Sequence, residues 1–182
     1  MPRNNNSEAW YLDFKDDRII AATPERVWAC LLDLSVLKEC VPGCQSLTGN
    51  VDDGFAATVV QRVGPVKATF KGAVQLSVLN APQRLRITGK GDGGVAGFAR
   101  GGADVTLVAD GDGTKLTYAV EAQIGGKLAQ LGSRIIDSFV NQMADQFFKT
   151  FQIQVEGSIP LLEKKSLKKI NIWQKFLRVF RK

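Results

Sequence analysis

In the stretch PVKATFKGAVQLSV, residues 65–78, the even positions Val66, Ala68, Phe70, Val74, Leu76 and Val78 are apolar, and the odd positions include Lys67, Thr69, Lys71, Gln75 and Ser77. A side-chain period of two belongs to a β-strand with one wet and one dry face. The same alternation returns in GTKLTYAVEAQI, residues 113–124, where Leu116, Tyr118, Val120, Ala122 and Ile124 point one way. Turn signals separate the alternating runs: VDDG at 51–54, RVGP at 62–65, NAP at 80–82, GDGG at 91–94 and DGDG at 110–113. Such short connections join antiparallel neighbours, so residues from Cys44 onward read as a meander of six strands.

On the N-terminal side the pattern changes. WYLDFKDDRII, residues 10–20, has the aromatic and β-branched character of a first strand. In ATPERVWACLLDL, Thr23 suits an N-cap and Pro24 the first helical position, and Val27, Trp28 and Leu31 share one face. A second short helix around SVLKECV stops at Pro42-Gly43. Beyond Gly125-Gly126 the period becomes helical as far as about Val155, with Leu128, Leu131, Ile135, Phe139, Met143, Phe147 and Phe151 as the apolar stripe. About 28 helical residues span roughly 40 Å, enough to cross a whole sheet. The order strand, two helices, six strands, long helix is that of an α+β fold, a curved antiparallel sheet with helices on one side.

Composition narrows the function. The chain of 182 residues has no histidine, which removes the commonest general base near neutral pH and every Ser-His-Asp or Cys-His arrangement. Three cysteines, Cys30, Cys40 and Cys44, make no disulfide framework, and CVPGC lacks the further ligands that would close a metal site. Residues 164–182 hold eight lysines and arginines and no acid, so the net charge of +6 belongs to this tail, and the rest carries a slight acidic excess. The body therefore offers no basic face for nucleic acid. The start, MPRNNNSEAW, lacks the apolar core of a secretory signal, and no run of about 18 apolar residues occurs, so the reading is of a cytoplasmic protein.

In VAGFARGGADVTLVA, residues 95–109, the odd face is Val95, Gly97, Ala99, Gly101 and Ala103. Small side chains facing the long helix either leave room for an apolar guest among Phe70, Phe139, Met143 and Phe147, or let the sheet bend with the helix packed directly on it. Residue patterning leaves both open. GKGDGGVAGFARGG lacks the Gly-Lys-Ser/Thr ending of a phosphate loop. The aspartates of the turns, Asp52, Asp53, Asp110 and Asp112, read as turn formers.

The segments ATPERVWACLLDLSVLKECVPGC, GPVKATFKG, ITGKGDGGVAGFARGGADVTL, DGTKLTYAVEAQIGGKLAQLGSRII and QFFKTF, in this order, resemble the CoxG family, the G-subunit family of carbon monoxide dehydrogenase. This is a branch of the START-like (SRPBCC, helix-grip) superfamily, and the resemblance covers residues 11–155. It implies a seven-stranded helix-grip fold and an accessory protein without turnover of its own. The expected partner is a molybdenum-containing hydroxylase, brought to the membrane. A lipophilic quinone, menaquinone or ubiquinone, is the expected cavity ligand, passing electrons toward the respiratory chain. Candidate wall residues are Trp28, Leu31, Phe70, Leu76, Gly97, Ala99, Gly101, Leu131, Ile135, Phe139, Met143 and Phe147. No catalytic residue transfers. Other helix-grip proteins are lipid carriers, or enzymes acting on bulky apolar molecules; for the latter Asp104, Tyr118 and Glu121 are the acid/base candidates.

Residues 1–9 read as a frayed end, 10–156 as the ligand-binding domain, 157–166 as a linker and 167–182 as a basic amphipathic helix. In INIWQKFLRVFRK, residues 170–182, the side chains of Ile170, Ile172, Trp173, Phe176, Leu177, Val179 and Phe180 fall on one helical arc, with Lys175, Arg178 and Arg181 among those on the other. Thirteen residues give roughly 20 Å of helix, short of a hydrocarbon core of about 30 Å. The expectation is a helix lying in the plane of an anionic membrane on the inner face of the cell. A groove on a protein is the alternative seat.

Overall fold

The structure, a computed structural model, describes residues 9–157. The expected tail helix, its linker beyond Gly157 and the frayed start before Ala9 lie outside the described residues. Strand β1 (Ala9–Ile20) leads into helices α1 (Pro24–Leu32) and α2 (Leu34–Cys40). Six strands follow: β2 (Cys44–Asn50), β3 (Gly54–Val63), β4 (Val66–Asn80), β5 (Arg84–Asp92), β6 (Phe98–Asp110) and β7 (Gly113–Gly125). Helix α3 (Ser133–Gly157) ends the described chain. The sheet runs in the order β1-β7-β6-β5-β4-β3-β2, antiparallel at every pairing.

Local chemistry explains the elements. The Thr23 hydroxyl accepts from the Arg26 main-chain N–H, and Pro24 fills the first helical turn where no donor is needed. Asp33 both ends α1 and caps α2, its carboxylate accepting from the N–H groups of Ser35 (2.8 Å) and Val36 (3.2 Å). In β4 the even residues from Val66 to Leu76 are half-buried and the odd ones exposed, as the alternation predicts. Val78 departs from it: 47% exposed, it lies beyond the edge of the core.

The concave face of the sheet holds two packed clusters under α3. The larger joins Ile20, Val27, Leu85, Leu107, Leu116, Phe151 and Val155. The smaller joins Val63, Ile124, Leu128 and Ile136, with Phe70, Ala99, Leu131 and Phe139 against it. The predicted helical stripe is largely as read, with Leu128 and Phe151 buried and Leu131, Phe139, Met143 and Phe147 half-buried; at one step Ile136 is buried in place of Ile135, which is 37% exposed. Residues 126–131 form a tight 3-10 turn, and the α-helix begins only at Ser133. The far end of α3 is tied to β1 and the β1–α1 turn, where Gln152 donates to the Ile19 carbonyl (2.9 Å) and Glu156 accepts from the Ala21 N–H (3.1 Å).

Candidate functional site

A cavity of ≈ 260 Å³ lies between the concave face of the sheet, the α1–α2 pair and the second half of α3. Leu31 of α1 and Leu37 of α2 contribute to its wall, as does Val41 just past α2. Leu47 of β2, Phe55 of β3, and Val74 and Leu76 of β4 form a second side. Leu85, Ile87, Ala103, Val105, Leu116 and Tyr118 form the floor across β5, β6 and β7, and Phe147 and Phe148 close it from α3. No charged side chain belongs to the wall, and Tyr118 supplies its single polar side-chain group. The alternation read from the sequence accounts for this: the inward positions of the strands are apolar, so any space left between them is dry. Just below the ~300–1,000 Å³ typical of ligand pockets, the cavity suits an apolar group of modest size or part of a longer molecule.

Tyr118 is 6% exposed, packed between Phe14 (ring centroids 5.8 Å) and Phe148 (4.8 Å). Its hydroxyl lies 3.4 Å from Asp16 Oδ2, to which it donates. Asp16 pairs with Arg18, which also binds Asp145 of α3 (2.8 Å) and stacks 5.5 Å above the Phe148 ring. Burial pushes the Tyr118 hydroxyl up to about 12; Arg18 opposes the shift and Asp16 adds to it. Hydrogen bonding by the Asp17 main-chain N–H holds the Asp16 carboxyl below its ordinary range, and Arg18 adds to this against a desolvation effect that opposes it. The tyrosine is thus a neutral donor at any physiological pH, and the cavity contains no group that changes charge there.

The structure places three of the twelve expected wall residues, Leu31, Leu76 and Phe147, on this cavity. Trp28 packs against the larger cluster from α1. Phe70, Ala99, Leu131 and Phe139 belong to the smaller cluster at the other, filled end. Ile135 and Phe139 also border a surface cleft beside Arg62, and Met143 is half-buried on α3. Gly97 and Gly101 leave no unfilled volume: a Cβ at Gly97 would stand 2.1 Å from the Gly125 carbonyl oxygen, and one at Gly101 would stand 2.0 Å from that of Glu121. These two glycines serve close approach to β7, and of the small-residue face only Ala103 lines the cavity. Val95, counted on that face, is 86% exposed in a 3-10 turn.

The wall residues that patterning does not single out, Leu37, Val41, Leu47 and Phe55, carry a weak signal. Leu37 and Val41 sit four apart, but α2 is too short for that spacing to stand out as a stripe. Of the acid/base candidates, Asp104 and Glu121 lie on the opposite face of the sheet, both bound to Arg86. Cys30 and Cys40 are buried free thiols and Cys44 is half-buried. Burial pushes Cys40 up to about 11, with smaller contributions from Cys30 and Glu39. Among the described residues no group of three His, Cys, Asp or Glu side chains is placed to hold a metal ion, and no helix is long and apolar enough to cross a membrane.

A seven-stranded antiparallel sheet gripping a C-terminal helix over an apolar cavity defines the START-like, helix-grip class. Solved structures share it. A conserved protein from Geobacillus kaustophilus superposes with a TM-score of 0.76 at 28% identity, covering 81% of this chain and 97% of that one. A START superfamily protein from Mycobacterium smegmatis gives 0.62 at 14% identity, covering 81% and 99%. A protein from Thermus thermophilus gives 0.60 at 17% identity, covering 81% and 99%. No curated protein sequence matches the chain. The family profile of CoxG, the carbon monoxide dehydrogenase G-subunit, matches residues 18–156, and the chain belongs to that family.

Proposed function

We propose that the protein is a non-catalytic accessory subunit of a molybdenum hydroxylase of the carbon monoxide dehydrogenase type. In this reading it carries a lipophilic quinone in its cavity and holds the enzyme at the cytoplasmic face of the membrane. The observation that carries the reading is the cavity wall, built from fifteen residues of which Tyr118 alone has a polar side chain. Such a wall selects by shape and apolarity, and it offers no base or nucleophile to a bound molecule. A quinone fits this chemistry through its ring or part of its prenyl chain. Family membership supports an enzyme partner of this type.

The sequence of the tail supports attachment to a membrane. Each Lys or Arg near an anionic leaflet contributes about 1 kcal/mol, and each fully buried large apolar side chain about 1.5–3 kcal/mol. Ordering the segment costs on the order of 1 kcal/mol per residue. The difference favours reversible attachment over permanent insertion.

Mass spectrometry of an organic extract of the purified protein, followed by titration with menaquinone and ubiquinone analogues, tests the cavity. A recovered or bound quinone is expected. An extract without lipophilic species, together with no binding of added quinone, refutes quinone carriage. For attachment, the full chain is expected to co-sediment with anionic liposomes, and a form truncated after Glu163 to stay in solution; equal partitioning removes the tail from the account. A carrier working without an enzyme would use the same cavity, and co-purification of the hydroxylase separates the two.

A further inference from the structure

Strand β2 stops short of covering β3. Its last pairing is Cys44 with Val59, and Val60 donates to the Gly43 carbonyl (2.9 Å) beyond it. Arg62 and Val63 therefore form an open sheet edge, and across from it runs the first half of α3. The β3–β4 turn bridges the gap at its end: a Cβ on Gly64 would stand 3.1 Å from Ile135 Cγ2. The resulting cleft, of ≈ 390 Å³, is lined by Arg62 and Gly64 on the sheet side and by Arg134, Ile135, Ser138, Phe139 and Gln142 on the α3 side.

No acidic residue lines this cleft. Like most cations of the described residues, Arg62 and Arg134 make no ion pair, and here the two line the same cleft. A cleft lined by two arginines and no carboxylate favours an anion.

We propose that this cleft binds a phosphate-bearing group through Arg62 and Arg134, on a face separate from the apolar cavity. One guanidinium fork satisfies the two oxygens of a carboxylate, whereas a phosphate has oxygens enough for both forks and for the Ser138 hydroxyl. Ile135 and Phe139 give apolar surface to whatever the phosphate is attached to. A lipid headgroup and a free phosphate share this chemistry. The assignment stands whether or not the cavity carries a quinone.

The test uses the full chain at low salt, following arginine Nε–Hε and main-chain resonances by NMR. The probes are dihexanoyl phosphatidic acid, inorganic phosphate and acetate. Expected are shifts centred on Arg62, Arg134, Ser138 and Gln142, with acetate at least tenfold weaker than the better phosphate probe. Phosphatidic acid binding at least tenfold tighter than inorganic phosphate assigns a lipid headgroup; similar affinities assign phosphate itself. The double variant Arg62→Gln/Arg134→Gln should weaken binding at least tenfold while its amide spectrum stays folded. The charge-matched control Lys15→Gln/Lys149→Gln should stay within twofold of the natural protein. The assignment is overturned by acetate binding as tightly as phosphate, by equal losses in both double variants, by unchanged binding in the arginine variant, or by no shifts in the cleft.

Discussion

Replacing Ala103 by leucine separates the cavity from the rest of the core. Ala103 sits on β6 opposite Ile87 of β5, and both line the cavity. Leucine adds three carbons pointing into a space of ≈ 260 Å³. At about 0.8 kcal/mol per buried carbon, the upper bound on the gain is about 2.4 kcal/mol. Lost side-chain freedom of leucine, about 0.5–1 kcal/mol, reduces it to roughly 1.5 kcal/mol. For a domain of this size that raises the melting temperature by about 3–6 °C. Occupying the same space should weaken binding of a fluorescent apolar probe at least tenfold. Thermal unfolding of ligand-free protein and probe titration are the two assays, and they must move in opposite directions. Unchanged probe affinity would show that guests bind elsewhere. A loss of stability of about 1–3 kcal/mol, the usual cost of overpacking, would show that the space is not free to be filled.

Three other outcomes follow from the same geometry. Gly101→Ala places a Cβ 2.0 Å from the Glu121 carbonyl oxygen, a backbone atom that can move only by parting β6 from β7; a loss of about 3 kcal/mol or more is expected in urea unfolding. With Ellman's reagent at pH 8, Cys44 should react fast, while buried Cys30 and Cys40, the latter raised to about 11, should react only on unfolding. The Asp33 carboxyl, held below 3.8 by Ser35 and by the Val36 main-chain N–H, and Asp16, held down mainly by the Asp17 N–H, stabilise the fold above about pH 4 and lose that effect as pH falls through their lowered values. Urea midpoints from pH 6 to 2 should therefore fall less steeply for Asp33→Ala than for the natural protein.

The sheet and its helix were legible in the sequence because both report through periods that depend on local geometry alone. Val66 to Leu76 and Leu116 to Ile124 state which face turns inward, and the structure has them so. The start of α3 was not legible, since nothing in GGKLAQLG distinguishes a 3-10 turn from the opening of a long helix. The cavity was legible as a kind but misplaced along the sheet. Periodicity says that a side chain points inward; whether another side chain meets it there depends on elements distant in the chain. Phe70 points inward and is met: a Cβ on Gly93 would stand 2.4 Å from its ring. Leu76, on the same face of the same strand, looks into open space. Gly97 and Gly101 mislead for a related reason, because a glycine marks closeness of backbones as readily as room for a guest.

The pairing of the first strand with the last has a consequence for how the chain assembles. Ala9 meets Gly125 and Ile20 meets Thr114, whereas β2 through β6 pair only with their neighbours in sequence. A chain emerging from the ribosome can zip the meander one hairpin at a time, but β1 must wait, unpaired, until nearly all of the sheet has been made. During that interval its mixture of aromatic and β-branched residues is open to mispairing, and five charged side chains between Asp13 and Arg18 oppose it. Pulsed hydrogen exchange during refolding should find the amides of β1 protected after those of β3 to β6; protection of β1 first would contradict this order.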